Sequence, residues 1–106
     1  MSRIDLQAVR TQIPIQQVLD LLRFQPTAHT GPRLRGPCPI HRAQPHSRSF
    51  SVHLDKGRYR CFTCHSAGSQ LDLWMAVTGL GLSAAAEDLC HRLGYPVPRL
   101  PYHRRS

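Results

Sequence analysis

Long apolar runs are missing from this chain. No stretch of roughly 18 consecutive apolar residues occurs, which excludes a transmembrane helix. The opening MSRIDLQAVR lacks the apolar core of a secretory signal, so a cytoplasmic setting is expected. Acidic residues are scarce: Asp5, Asp20, Asp55, Asp72, Glu87 and Asp88 face 14 Lys and Arg, for a formal net charge of +8. Lysine is scarcer still, since Lys56 stands alone and every other member of that cationic set is Arg. A genome-wide preference for Arg codons would account for the Arg-to-Lys ratio, but not for the excess of cations over acids. That excess points to a polyanionic partner, nucleic acid before membrane. Arg is also the cation suited to planar phosphate recognition and to stacking on bases.

What is present is concentrated. Between Arg33 and Arg60 lie Arg33, Arg35, Arg42, Arg48, Lys56, Arg58 and Arg60, opposed only by Asp55. That segment and the four residues after it hold Cys38, His41, Cys61 and Cys64, which include three of the four cysteines. In a reducing compartment, cysteines at motif spacing are metal ligands more often than disulfides. With 106 residues the chain makes one domain with a modest core, the size at which a metal staple is common.

Cys61-Phe62-Thr63-Cys64 is a C-x2-C knuckle, and Cys38-Pro39-Ile40-His41 is a C-x2-H pair of the same reach. Nineteen residues separate the pairs, enough for a strand, a turn and a strand back. Zn²⁺ takes four N/S ligands in a tetrahedron, and two short knuckles on neighbouring strands supply them. Three thiolates and a neutral imidazole leave one net negative charge, which nearby Arg side chains can offset. Four protein ligands leave no open position, so one structural Zn²⁺ is expected. A redox C-x2-C normally precedes a helix in a βαβ unit, whereas this one closes a hairpin. His65, next to Cys64, remains a rival to His41 as the fourth ligand, with His46 and His53 also nearby. Cys90 sits among Leu89 and Leu93 and reads as a small buried hydrophobe.

Periodicity places these motifs. Ile4, Leu6 and Val9 suggest a turn or two of helix; Pro14 suits the start of another, with Ile15, Val18, Leu19 and Leu22 on one face. Helical structure is expected within 4–24. Residues 25–37 read as a loop running into a strand at Arg33–Gly36. Ser49–Leu54 and Tyr59–Phe62 alternate around a turn at Lys56-Gly57, predicting a hairpin that pairs Leu54 with Tyr59, His53 with Arg60 and Asp55 with Arg58. Phe50, Val52, Leu54, Tyr59 and Cys61 then share one face; Ser49, Ser51, His53, Arg58, Arg60 and Phe62 share the other. Helices follow within 69–94: Ser69 with Asp72 opens the first, and Leu71, Trp74 and Met75 form its stripe. Gly79 ends that helix, Ser83 caps the last, and Gly94 ends it. The fold class is therefore α+β: a zinc-ribbon antiparallel sheet over 33–64 with flanking helices.

GPCPIH (Gly36–His41), RSFSV (Arg48–Val52) and YRCFTCHSAGSQLDLWM (Tyr59–Met75) together resemble the zinc-binding domain at the N-terminus of bacterial-type DNA primases. IPIQQVLDLL and GLSAAAEDLCHRLGYPVP extend the likeness outward, so 1–98 is expected to be that domain and 99–106 a basic, proline-containing tail. The resemblance implies a module that reads single-stranded template DNA for a separate catalytic domain. It maps Cys38, His41, Cys61 and Cys64 onto the zinc ligands, and Phe50 and Tyr59 onto the family's hairpin aromatics. This chain departs from the family's usual Gly at Thr63 and His65. It also lacks the clustered acids of the family's catalytic core, so no enzymatic activity of its own is expected.

On this reading Arg33, Arg35, Arg42, Arg48, Phe50, His53, Lys56, Arg58, Tyr59, Arg60 and Phe62 are the candidate nucleic-acid contacts. Cations would follow phosphates while an exposed Phe62 stacks on bases. The expected partners are single-stranded DNA and a primase, polymerase or helicase on another chain, in replication or on a mobile element. The competing reading is a protein-interaction module that presents Leu73, Val77 or Leu80 and binds nucleic acid only nonspecifically.

Overall fold

A computed structural model describes residues 3–41 and 48–99 of the chain. Two short helices come first, α1 (Leu6–Gln12) and α2 (Ile15–Leu21). The Asp5 carboxylate accepts from the Ala8 amide at 3.1 Å and so caps α1. Pro14 precedes the first turn of α2, whose buried face is Ile15, Val18 and Leu19. The helix stops well short of Pro26, with Arg23 turned into the left-handed region at φ 56°.

Five strands follow: β1 (Ala28–Thr30), β2 (Arg33–Gly36), β3 (Phe50–His53), β4 (Arg58–Cys61) and β5 (Ala67–Ser69). They form a single antiparallel meander in chain order. The α+β class and the antiparallel sheet agree with the sequence reading. The edge strands do not: β1 was expected to be loop, and β5 lay outside the expected sheet. Both are three residues long and carry small or polar side chains, so neither shows the alternation that marks a strand.

The hairpin also needs correcting. Tyr59 pairs with Val52 and not Leu54, His53 with Arg58 and not Arg60, and Ser51 with Arg60. Residues 54–57 form the turn, closed by the Gly57 amide on the Leu54 carbonyl at 3.2 Å. Leu54 is also held from outside the hairpin, its amide donating to the Pro32 carbonyl at 2.7 Å. The slip is an even one, so every side chain keeps its expected face. Leu34, Phe50, Val52, Tyr59 and Cys61 are buried on one side. The register puts Arg33, Arg35, Ser51, His53, Arg58 and Arg60 on the other.

Two further helices, α3 (Gln70–Thr78) and α4 (Leu82–Leu93), complete the fold. The chain turns from β5 directly into α3. Asp72 accepts from both the Ser69 amide (2.8 Å) and the Ser69 hydroxyl (3.0 Å), the acidic version of a capping box. That turn requires Gly68: its φ is 149°, and a Cβ there would collide with the Asp72 side chain. Helix α4 starts two residues earlier than a Ser83 cap implies. Its N-cap is Gly81, whose carbonyl accepts from the Ala85 amide at 2.8 Å.

Helix α3 packs against β4 and β5, α4 against α3, α1 against α4, and α2 against α3. The shared core joins Val9, Ile13, Val18 and Leu19 to Phe50, Val52, Leu71, Leu73, Trp74, Ala86 and Leu89. Gln70 is the buried polar residue in it. Its amide donates to the carbonyls of Arg10 (2.8 Å) and Ile13 (2.6 Å), tying α3 to the α1–α2 junction. At the other end, Ile4 bridges to Arg99 and the Asp5 amide donates to Pro98 at 2.8 Å. The outcome is a sheet with one face packed against helices, while on the other face Arg33, Arg58 and Arg60 are exposed among the described residues.

Candidate metal centre and nucleic-acid face

The segment leaving β2 carries Cys38 and His41; the end of β4 and its following turn carry Cys61 and Cys64. Their donor atoms all lie within 4.8 Å of one another. Cys38 Sγ is 4.0 Å from Cys64 Sγ, and Cys61 Sγ is 3.3 Å from His41 Nε2. Zn–S bonds of about 2.3 Å and Zn–N bonds of about 2.0 Å in a tetrahedron give edges of roughly 3.8 Å between sulfurs and 3.5 Å between sulfur and nitrogen. The observed spacings suit Zn²⁺. When bound, the ion is a structural cross-link between two strand ends, with all four positions filled by protein.

The second knuckle is built around Cys61. The Cys64 amide points at Cys61 Sγ (3.4 Å), the His65 amide donates to the Cys61 carbonyl (3.0 Å), and the Cys61 amide to the Ser66 carbonyl (2.8 Å). Burial opposes ionisation of Cys61, but hydrogen bonds from Cys64, Thr63 and His41 outweigh it and bring its pKa down to about 6. Cys38 goes the other way: burial dominates and pushes it up, so in the metal-free cluster it holds its proton.

His65, the rival ligand, stands outside the cluster. Its backbone is in the left-handed region at φ 64°, where Gly is favoured, and it is exposed. His41→Ala is therefore expected to weaken zinc binding, as read by chelator competition. His65→Gly should keep the metal and raise the melting temperature, because it relieves a backbone cost of about 1 kcal/mol. Loss of zinc from His65→Gly with full retention in His41→Ala would reverse the assignment.

On the free face of the sheet, two rows of side chains run across the strands. Arg33, His53 and Arg58 are aligned in one, and Arg35, Ser51 and Arg60 in the next. A groove of about 670 Å³ opens over them, lined among others by Arg33, His53, Lys56, Arg58, Arg60 and His65. None of its lining residues is acidic. Phe62 is 50% exposed beside the second row, with the guanidinium carbons of Arg35 and Arg60 at 5.2 and 5.3 Å from its ring centroid. Both are cation–π distances. Arg35 is fixed further by Nη2 and Nε donating to the Arg48 carbonyl, at 2.6 and 3.1 Å.

Two candidate contacts are corrected. Phe50 is 0% exposed and Tyr59 4%, so neither offers a ring face to a base. Phe50 packs edge-on to Phe24 (5.4 Å) and stacks with Tyr59 (5.5 Å between centroids). Tyr59 Oη hydrogen-bonds Ser66 Oγ at 2.7 Å, an anchor for the knuckle that no pattern in the sequence signals. Arg33, Arg35, His53, Lys56, Arg58, Arg60 and Phe62 do gather on the open face. Arg48 is exposed next to it, and Arg42 lies outside the described residues.

A family described as the CHC2 zinc finger matches residues 1–104 of the chain. The chain belongs to the CHC2 zinc-finger family. Relatives of this CHC2 domain include the DNA primase of Streptomyces coelicolor, 34% identical over 91 residues that make up 85% of the chain. The DNA primase of Neisseria meningitidis is 32% identical over 84 residues. Among solved structures, the Aquifex aeolicus primase, comprising zinc-binding and RNA polymerase domains, superposes with a TM-score of 0.70. That match has 26% identity and covers 92% of this CHC2 domain and 23% of the primase chain. The domain spans 14% of the Streptomyces primase and as little of the Neisseria one. It corresponds to the zinc-binding part of such enzymes, not to their RNA polymerase domain. Among the described residues no helix is long and apolar enough to cross a membrane.

Proposed function

We propose that this domain binds single-stranded template DNA on the open face of its sheet, and that it does so for a primase, polymerase or helicase on another chain. The observation that carries this reading is the pair of cross-strand rows over an acid-free groove. Rows of guanidinium groups attract phosphates, and the half-exposed Phe62 offers an aromatic surface beside them. Residues 38–41 follow β2 and 61–64 run on from the end of β4, so the metal ties together the two strands that carry the arginines, at the end next to Arg35 and Arg60, without chemistry of its own.

Arg60 is the residue to test, because it lines the groove and also flanks Phe62. Arg60→Ala is expected to weaken binding of a short single-stranded oligonucleotide. The slope of log affinity against log salt should fall by about 0.7, the contribution of one phosphate contact on a single strand. Anisotropy titrations at several salt concentrations measure both. An unchanged slope would remove Arg60, and with it the proposed face, from the interface.

The protein-interaction alternative loses one of its three surface residues. Leu73 is 0% exposed, inside the core between α3 and its neighbours, and cannot present itself to a partner. Val77 packs against the same core, which leaves Leu80 as the exposed apolar residue of that set.

A further inference from the structure

A second groove begins where the first ends. It has a volume of about 370 Å³ and lies between the β3–β4 turn and the junction of α1 with α2. Lys56 and Arg58 line both grooves, so the two are continuous around the tip of the hairpin. Arg10, exposed in the last turn of α1, is the third cation of the second groove. Among the described residues, Asp55 is its one acidic lining residue, and no aromatic side chain lines it.

Both walls of this groove are fixed. In the turn, the Lys56 amide donates to His53 Nδ1 at 3.3 Å, and the Leu54 amide ties the turn to the Pro32 carbonyl. On the opposite wall, Gln70 holds the carbonyls of Arg10 and Ile13. The backbone of Arg10 is thus bound to α3 while its side chain stays exposed. Three cations against one carboxylate suit a phosphate. Without an aromatic ring the groove has nothing to stack on a base. The cations of β4 also lead into it. Arg60 and Arg58 are two residues apart, about 6.8 Å along the strand, and Lys56 continues the series around the turn. A single strand that follows them runs off the sheet at the hairpin tip, the end opposite the zinc ligands.

Resting on the single-stranded-DNA reading above, we propose that the strand leaves the sheet around the hairpin tip and that Arg10, together with Lys56, seats a further backbone phosphate in the second groove. The contact is to phosphate alone and carries no base preference. It extends the interface from the sheet onto the helical side of the domain. Affinity then depends on strand length, because only a strand long enough to pass the tip reaches Arg10. Asp55 opposes the phosphate and lowers the gain.

Anisotropy titrations with oligo-dT of about four and about twelve nucleotides, lengths within the range of single-strand site sizes, test the proposal. Arg10→Ala keeps the carbonyl that Gln70 holds, so the fold is retained. It should lower the salt slope of the longer oligonucleotide by about 0.7, which at about 0.1 M salt is about fivefold in affinity, and leave the shorter one unchanged. Asp55→Asn should strengthen binding of the longer oligonucleotide only, a gain that misfolding cannot produce. Arg23→Ala removes an exposed cation that lines neither groove and should alter neither length. The Arg10→Ala loss should persist when the outer nucleotides are abasic. Wild-type behaviour of Arg10→Ala at both lengths, an equal loss in Arg23→Ala, or a loss that disappears with the outer bases overturns the phosphate seat and leaves binding on the sheet standing. Failure of the wild-type protein to bind either oligonucleotide overturns the DNA reading and this proposal with it.

Discussion

Removal of zinc is expected to unfold the sheet and, with it, most of the domain. The four ligands join the exit of β2 to the end of β4, and two of them, Cys38 and Cys61, belong to the hydrophobic core. A structural zinc contributes about 10–16 kcal/mol of apparent binding free energy near neutral pH in small zinc-finger peptides. A whole domain of this size is stable by about 5–15 kcal/mol. The metal contribution is thus comparable to everything else combined. Its loss cannot stay local, because α3 and α2 pack on the same core as the strands the metal ties. Circular dichroism after chelation should show loss of cooperative melting, restored by adding Zn²⁺. A metal-free protein with an unaltered spectrum and a cooperative melt would show that the helices and sheet hold without the clamp.

Acid should act in the same direction as chelator. Zinc must displace the Cys38 proton, since burial raises that thiol, so metal uptake releases protons at neutral pH. Cys61 is already ionised at neutral pH, with a pKa lowered to about 6. A depressed thiol loses its contribution as pH falls through its folded-state value. Apparent zinc affinity should therefore fall with falling pH, and more steeply once pH drops below about 6, where Cys61 also takes up a proton.

How much of this was legible in the sequence depends on the kind of signal. Ligand spacing is local and chemical, so Cys38, His41, Cys61 and Cys64 could be read directly, with the imidazole as the one open choice. Geometry decided that choice: the donor atoms of Cys38, His41, Cys61 and Cys64 lie within 4.8 Å of one another, and His65 is not among them. Strand parity was readable because the side-chain period is two, so even a slipped register put the cations on one face. The register itself was not, because the turn is constrained by a bond from Leu54 to Pro32, on the connection between β1 and β2. The edge strands were hidden for a similar reason. Ala67-Gly68-Ser69 pairs because β4 and α3 place it, not because its residues prefer a strand.

Phe50 gives the second large expectation, and the one that separates the two sets of aromatic residues. Family likeness placed it among nucleic-acid contacts; the structure puts it at the centre of the fold. It lies between Gly36 and Cys61 in the register, so it joins the strand ends that carry the zinc ligands. Gly36 leaves room for Phe24, whose ring would lie 2.8 Å from a Cβ there, and Phe24 meets Phe50 edge-on. Phe50→Ala removes the ring that Phe24 and Tyr59 both pack against and opens a cavity, at a cost of about 3–5 kcal/mol. At about 4–8 °C per kcal/mol for a domain of this size, the melting temperature should fall by more than about 12 °C, and zinc should become easier to chelate. Phe62→Ala should do the reverse: stability nearly unchanged, because the ring is half exposed, with weaker single-strand binding. Thermal melts and anisotropy on the two variants decide the matter. A Phe50→Ala protein that melts like wild type but binds DNA poorly would return Phe50 to the interface.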